Sequence, residues 1–76
     1  MQLELITPDK TVFAGEVSIV TLPGTNGSFQ IQQDHAPMVS TLGKGLVSTG
    51  NESFMVDGGV VEILNNKILV LAEAVI

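Results

Sequence analysis

Turn-forming residue pairs divide this sequence into short apolar segments, and their spacing most strongly limits what the chain can fold into. Such signals recur at intervals of roughly eight to twelve residues, which is typical of β-sandwiches and small barrels. They include Asn26–Gly27, Gly50–Asn51 and Asn65–Asn66, whose residue types tolerate the positive φ angles of tight turns. The most helix-like segment, Ala72–Ile76, is too short to form a stable helix alone. The sequence therefore predicts an all-β fold.

Glycines inside the β-rich segments predict further interruptions. Val12–Leu22 is long for one strand, and we expect it to break near Ala14–Gly15. Gly43–Lys44–Gly45 is predicted to be a turn, and Gly58–Gly59 a bulge or a strand break. The last segment, Ile68–Ala72, is apolar on both faces, so it is expected to lie in the centre of a sheet or under a partner.

Length and charge content together favour an interaction module. The 76 residues are predicted to form a single domain, residues 1–76, near the lower limit for a core that folds unaided. Charged residues make up 14% of the chain, against a typical value of about 25%. A domain this small leaves many side chains at its surface, so some apolar ones are exposed. Contiguous exposed apolar area usually marks a protein interface.

The charge balance excludes several classes of function. The net charge is −5, with three lysines and no arginine, tyrosine or tryptophan. Nucleic-acid binding needs a cationic surface, and single-strand binding adds aromatic stacking, so neither is expected. Phosphate-bearing substrates are also disfavoured without arginine. No cysteine is present, which excludes disulfides and thiolate chemistry.

No targeting or membrane signal is evident in the sequence. The first residues lack the basic start and long apolar region of a secretory signal. No apolar run approaches the roughly 20 residues that cross a bilayer. The sequence therefore predicts a cytosolic, soluble protein.

His35 is the only histidine, and with Asp34 it is the first candidate for a metal ligand or general base. A metal site needs three or four converging ligands, and adjacent residues on an extended chain point to opposite faces. No nucleophile with an orienting group accompanies it, and the carboxylates are dispersed along the chain. We therefore predict no catalytic residue, no metal and no cofactor, and interpret His35 as a corner residue held by its own turn.

A lysine-modified carrier domain of the lipoyl or biotinyl type is one alternative. Such domains are also small, β-rich and acidic, and Lys44 between two glycines resembles a lysine at an exposed hairpin. They resemble one another in presenting Asp-Lys-Ala or Met-Lys-Met at that turn, and neither occurs here. A free-standing protein-interaction β-sandwich is the other alternative, and it has no distinguishing motif.

Several sequence blocks resemble one family over essentially the whole chain. The opening runs from Leu3 to Val17, and Leu22-Pro-Gly-Thr-Asn-Gly-Ser-Phe29 is followed by Ile31 and His35-Ala-Pro37. The closing blocks are Gly58-Gly-Val-Val-Glu-Ile63 and Val70-Leu-Ala-Glu73. In this order and spacing they resemble the N-terminal β-sandwich domain of the ε subunit of F-type ATP synthases. Departures occur at Gln30, where the family usually has glycine, and at Gln32–Gln33, where it usually has Leu-Pro or Tyr-Pro.

The resemblance implies both a fold and a role. The fold would be a flattened two-sheet β-sandwich of roughly ten short strands. The role would be that of a non-catalytic central-stalk rotor subunit in a proton- or sodium-translocating synthase, which binds the γ subunit and the loops of the c-ring. It would lie at the cytoplasmic face of a bacterial inner membrane and touch the membrane only through the complex. ATP binding is not expected without the family's C-terminal helices.

The same resemblance implies the interface residues. Those matching the family's ring-facing loops are Asn26, Gly27, Ser28 and Phe29. Nearby are His35, Ala36, Pro37 and Met38, some of which are expected to face γ instead.

Overall fold

The computed structural model describes residues 1–76, and its regular structure consists of strands joined by tight turns. Asn65 and Asn66 both have positive φ angles, 52° and 59°, as a type I′ hairpin turn requires. At the preceding hairpin, Gly50–Asn51, Gly50 has a φ of 94°, and the Thr49 N–H donates to the Glu52 carbonyl at 2.9 Å. Both predicted turns are confirmed. The strands are β1 (Gln2–Ile6), β2 (Thr11–Glu16), β3 (Ile19–Gly24), β4 (Gly27–Gln32), β5 (Met38–Ser48), β6 (Ser53–Leu64) and β7 (Lys67–Ala72).

All seven strands belong to one hydrogen-bonded sheet in the order β2-β1-β7-β6-β5-β3-β4. Neighbours are antiparallel except for β1 and β7, which are parallel, with Leu3 opposite Ile68 and Leu5 opposite Val70. The chain's first and last strands thus pair with each other inside the sheet. β7 lies between β1 and β6, which confirms the central position predicted from its two apolar faces.

The sheet folds over on itself because β5 and β6 change their inward face partway along. Leu42 and Val47 are both buried in β5, as are Val56 and Val61 in β6. Each pair is separated by an odd number of positions, whereas a flat strand buries alternate residues. The change of face falls where Gly43–Gly45 approaches Gly59, which has a φ of 144°. Glycine permits this sharp bend because it has no Cβ.

One hydrophobic core lies between the two halves of the folded sheet. Its buried residues come from both halves, so the two layers share it. They are Met1, Leu3, Leu5, Val20, Leu22, Ile31, Leu42, Val47, Val56, Val61, Ile63, Ile68, Val70 and Ala72.

The all-β class is confirmed, while the strand number is seven rather than roughly ten. The two layers are also the halves of one folded sheet and not two separate sheets. Gly43–Lys44–Gly45 is not a turn, because Leu42 pairs with Gly59 and Lys44 with Asp57 without a change of register. The glycines bend the ladder without ending it. The expected break within Val12–Leu22 is present, but it falls at Val17–Ser18 instead of Ala14–Gly15, since β2 continues to Glu16 and β3 begins at Ile19.

No helix long and apolar enough to cross a bilayer is present.

We expect Gly59→Ala to be far more destabilising than Gly27→Ala. Both glycines have positive φ angles, 144° and 126°, so each substitution introduces backbone strain of about 1–2 kcal/mol. A Cβ at position 59 would also overlap the Leu71 carbonyl oxygen, whereas nothing lies within 4 Å of one at position 27. Gly59→Ala is therefore expected to lower the free energy of unfolding by about 3–5 kcal/mol, measured by urea unfolding. Equal losses for the two variants would show that the bend relaxes easily.

Candidate functional site

The first group of predicted interface residues forms the tip of the β3–β4 hairpin. Asn26, Gly27 and Ser28 are exposed. The Thr25 hydroxyl lies 3.1 Å from the Thr41 hydroxyl, and the Thr25 N–H donates to the Thr41 carbonyl at 3.4 Å. These contacts hold the tip against β5, so the hairpin presents a fixed polar surface.

Phe29 has a different place from the rest of its group. Its ring is half-buried against the core and lies so close to Gly24 that a Cβ there would be 2.9 Å from the ring. Phe29 therefore supports the hairpin from inside, while the exposed residues before it are available for contact.

The second group follows β4 as an irregular corner. The His35 N–H donates to the Gln32 carbonyl at 3.2 Å. The His35 Nδ1 lies 2.7 Å from the Ala36 carbonyl oxygen, and it donates because a carbonyl only accepts. His35 is thus held by its own turn, as the sequence predicts. Ala36 and Pro37 are exposed, and Met38 begins β5 half-buried.

A reciprocal pair of hydrogen bonds fixes this corner to the β6–β7 turn. The Asp34 N–H donates to Asn66 Oδ1 at 2.7 Å, and Asn66 Nδ2 donates to Asp34 Oδ1 at 2.9 Å. Both residues have positive φ angles, 62° and 59°. Two turns far apart in sequence are therefore locked together, with His35 immediately after the lock.

The two predicted groups lie at opposite ends of β4. That strand has six residues, so its ends are about 17 Å apart at 3.3–3.4 Å per residue. The predicted interface residues therefore lie in two separate surface regions, the hairpin tip and the corner, rather than in one patch.

Gln33, one of the positions at which the sequence departs from the family pattern, contacts the N-terminal residue. The Met1 ammonium lies 2.6 Å from Glu16 Oε2 and donates to the Val17 carbonyl at 3.0 Å. It also contacts Gln33 Oε1 at 3.3 Å. Gln33 thus ties the end of β4 to the start of the chain.

A third region, missed from the sequence, is the outside of the sheet formed by β1, β7, β6 and the first half of β5. Opposite the core, cross-strand pairing places Thr41, Val60, Leu71 and Ile6 in one row. The next row contains Val39, Glu62, Leu69 and Glu4. With Leu64 and Lys67, these residues form what we call the outer face.

Four large apolar side chains are exposed close together on the outer face. Val39 is 67% exposed, Leu64 51%, Leu71 49% and Val60 38%. Contiguous exposed apolar area is typical of protein interfaces. The two apolar faces of Ile68–Ala72 were the only sequence signal for it.

The lysine considered for carrier chemistry does not lie at a hairpin turn. Lys44 is in the middle of β5, opposite Asp57, and not at a hairpin tip. Lys67 Nζ lies 3.7 Å from Glu4 Oε1. No group of three His, Cys, Asp or Glu residues is close enough to hold a metal ion.

A family model described as the β-sandwich domain of the ATP synthase delta/epsilon chain matches residues 1–76. The chain belongs to this family. As an epsilon-chain domain, it is a non-catalytic part of an ATP synthase.

Curated relatives of the epsilon-chain family agree with this assignment. The ATP synthase epsilon chain of Chlorobium limicola is 39% identical, over 97% of this chain and 90% of its own length. That of Maridesulfovibrio salexigens is 43% identical, over 93% of this chain and 53% of its own length. The chain thus spans nearly all of one relative and about half of the other.

Solved structures share the fold of this chain at low sequence identity. A chain in the Tetrahymena thermophila mitochondrial ATP synthase central stalk and c-ring has a TM-score of 0.83 at 21% identity, covering 100% of this chain and 65% of its own. A chain in the Euglena gracilis mitochondrial ATP synthase has a TM-score of 0.84 at 17% identity, and the match covers 97% of this chain and 51% of that one. These likenesses support the β-sandwich fold.

We expect Asp34 and Asn66 to be energetically coupled. Asp34→Gly and Asn66→Gly each remove a side chain while accommodating the positive φ. The backbone N–H of residue 34 remains in Asp34→Gly, so the double-mutant cycle isolates the hydrogen bond from Asn66 Nδ2 to Asp34 Oδ1. A coupling of about 0.5–1 kcal/mol is expected from this exposed hydrogen bond, measured by urea unfolding. Additive losses would mean that the corner is held without this bond.

Proposed function

We propose that this chain is a central-stalk rotor subunit of a proton- or sodium-translocating F-type ATP synthase, which joins the γ subunit to the c-ring. Membership of the epsilon-chain family supports this role. The observation that carries the proposal is the outer face, because it gives the domain a broad apolar surface that a partner can cover.

The outer face is the proposed γ-binding surface. Four exposed apolar side chains project from three adjacent strands, so a partner can cover them without rearranging the backbone. Burying apolar area contributes about 25 cal/mol per Å² before the losses of association are subtracted. Such a contact suits a permanent subunit interface, which is usually more apolar than a transient one.

The hairpin tip is the proposed c-ring contact. Asn26, Gly27 and Ser28 are exposed and uncharged, which suits short polar loops better than an apolar face would. The corner at His35–Met38 borders the outer face, because Pro37 and Met38 lie beside Val39 and Leu64 in a shallow hollow. We therefore propose that the corner extends the γ contact.

The mechanism is mechanical. With γ on the outer face and the ring at the hairpin tip, the sandwich would carry torque between them as a rigid body. Its part needs shape and packing, and no bond chemistry. No cofactor or ATP binding is proposed for these residues.

This arrangement also implies a location. ATP synthases are membrane-associated complexes, and a rotor subunit touching the c-ring loops would lie at the cytoplasmic face of a bacterial inner membrane. It would contact the lipid only through the complex.

Leu71→Glu is expected to weaken γ binding at least about 30-fold, because it places an unpaired charge in an apolar interface. The affinity would be measured by calorimetry with the γ subunit of a closely related ATP synthase. Leu46→Glu is the matched control, since Leu46 is 50% exposed against 49% for Leu71 but lies outside the outer face.

Both leucine variants are expected to remain folded by circular dichroism, and the control to bind γ within about threefold of the unmodified chain. Equal weakening by both substitutions would contradict the assignment of γ to the outer face. Failure of the unmodified chain to bind any related γ would reject the proposed role.

Ser28→Cys is expected to form a disulfide with a cysteine placed in the polar loop of the c subunit. The chain has no cysteine of its own, so the engineered thiol is unique. Ser53→Cys, at the exposed start of β6, is the control and is expected not to cross-link. Cross-linking from position 53 alone would place the ring contact at the β5–β6 hairpin instead.

A further inference from the structure

Glu62 lies within the apolar part of the outer face. Its cross-strand neighbours are Val39 on β5 and Leu69 on β7. Along β6, Val60 and Leu64 flank it on the same face, because side chains alternate along a strand. A carboxylate thus has apolar neighbours on all four sides of its position in the sheet.

The other charges on this face do not neutralise it. Lys67 and Glu4 are the remaining charged side chains there, and Lys67 Nζ pairs with Glu4 Oε1 at 3.7 Å. Lys67 lies diagonally across from Glu62 and lines the same hollow, but it is the only cation for two carboxylates. The face therefore has a net charge of −1, and Glu62 forms no ion pair within the chain.

A partner that covers the surrounding apolar side chains must also cover Glu62. Removing a carboxylate from water without a partner is strongly unfavourable. A purely apolar partner surface would therefore bind poorly here, whereas one with a cation opposite the carboxylate would not. The position of Glu62 among its neighbours thus determines what chemistry the partner needs.

We propose that the surface docking on the outer face carries a basic side chain that pairs with Glu62. This inference rests on the proposed function and specifies the chemistry of the γ surface. Apolar contact is non-directional, so an apolar face alone would let the partner slide or rotate. A single buried ion pair fixes one orientation, because every other alignment leaves both charges unpaired.

The test compares the γ affinities of the unmodified chain, Glu62→Gln and Glu62→Lys. Glu62→Gln keeps the size and loses the charge, and it is expected to weaken binding at least about 30-fold because the partner's cation is left buried and unpaired. Glu62→Lys is expected to weaken binding further. Glu52→Gln and Glu52→Lys, in the exposed β5–β6 turn, are matched controls and are expected to stay within about twofold.

A charge exchange then identifies the partner residue. Each Lys or Arg on the γ surface is changed to Glu, and one such change is expected to restore binding to Glu62→Lys while weakening binding to the unmodified chain. Raising the salt concentration is expected to weaken binding of the unmodified chain more steeply than that of Glu62→Gln.

The outcomes separate the two proposals. If Leu71→Glu weakens γ binding but Glu62→Gln binds as well as or better than the unmodified chain, the outer face docks γ and the opposing cation is rejected. If both position-62 variants behave like the position-52 controls, the inference is likewise overturned. If the unmodified chain does not bind γ, the proposed function and this inference fail together.

Discussion

The whole structure depends on a bend in two paired strands that keeps their hydrogen bonds intact. β5 and β6 remain in one register from Met38 opposite Ile63 to Ser48 opposite Ser53, yet their inward faces switch at the glycines between. Without that bend the seven strands would form one open sheet with a single buried face and nothing to pack against it. With it, both halves of the sheet bury their apolar side chains in one core, which lets a chain of 76 residues fold without a helix or a disulfide.

Local chemistry explains which parts of the fold were predictable. The Asn65–Asn66 and Gly50–Asn51 turns follow from residue types that accept positive φ, whatever surrounds them. The strand number was not predictable in this way, because glycine allows a bend, a turn or a bulge equally well. Whether pairing continues past Gly43 and Gly58 depends on the opposite strand, which local sequence does not specify.

The same reasoning applies to the candidate site. The hairpin tip and the corner were predicted as contact regions from the family resemblance alone, and that contact role stays a prediction. The outer face is assembled from strands that are distant in sequence, since Leu71 is flanked by Ile6 on one side and Val60 on the other. No sequence window contains all of these residues. Only the two-faced apolar pattern of β7 pointed to it, without showing which neighbours would extend it.

An apolar face on a small free domain invites self-association, and its charges act against that. Two copies meeting outer face to outer face would bring two uncompensated carboxylates together, which is unfavourable in an apolar contact. The net charge of −5 adds repulsion at longer range. A partner with the opposite charge meets no such barrier. Glu62, which we propose fixes the partner's orientation, would thus also discourage binding of a second copy of the chain.

The unbroken β5–β6 ladder has a mechanical consequence as well. A sandwich made of two separate sheets passes load between its layers through side-chain packing, which can slip. Here two strands run through both layers, so a twisting load on one layer reaches the other along covalent backbone. Pulling such strands past one another loads many ladder hydrogen bonds in shear, and they must break together, whereas peeling breaks them one at a time. The continuous β5–β6 ladder thus connects the two faces of the domain through backbone as well as through side-chain packing.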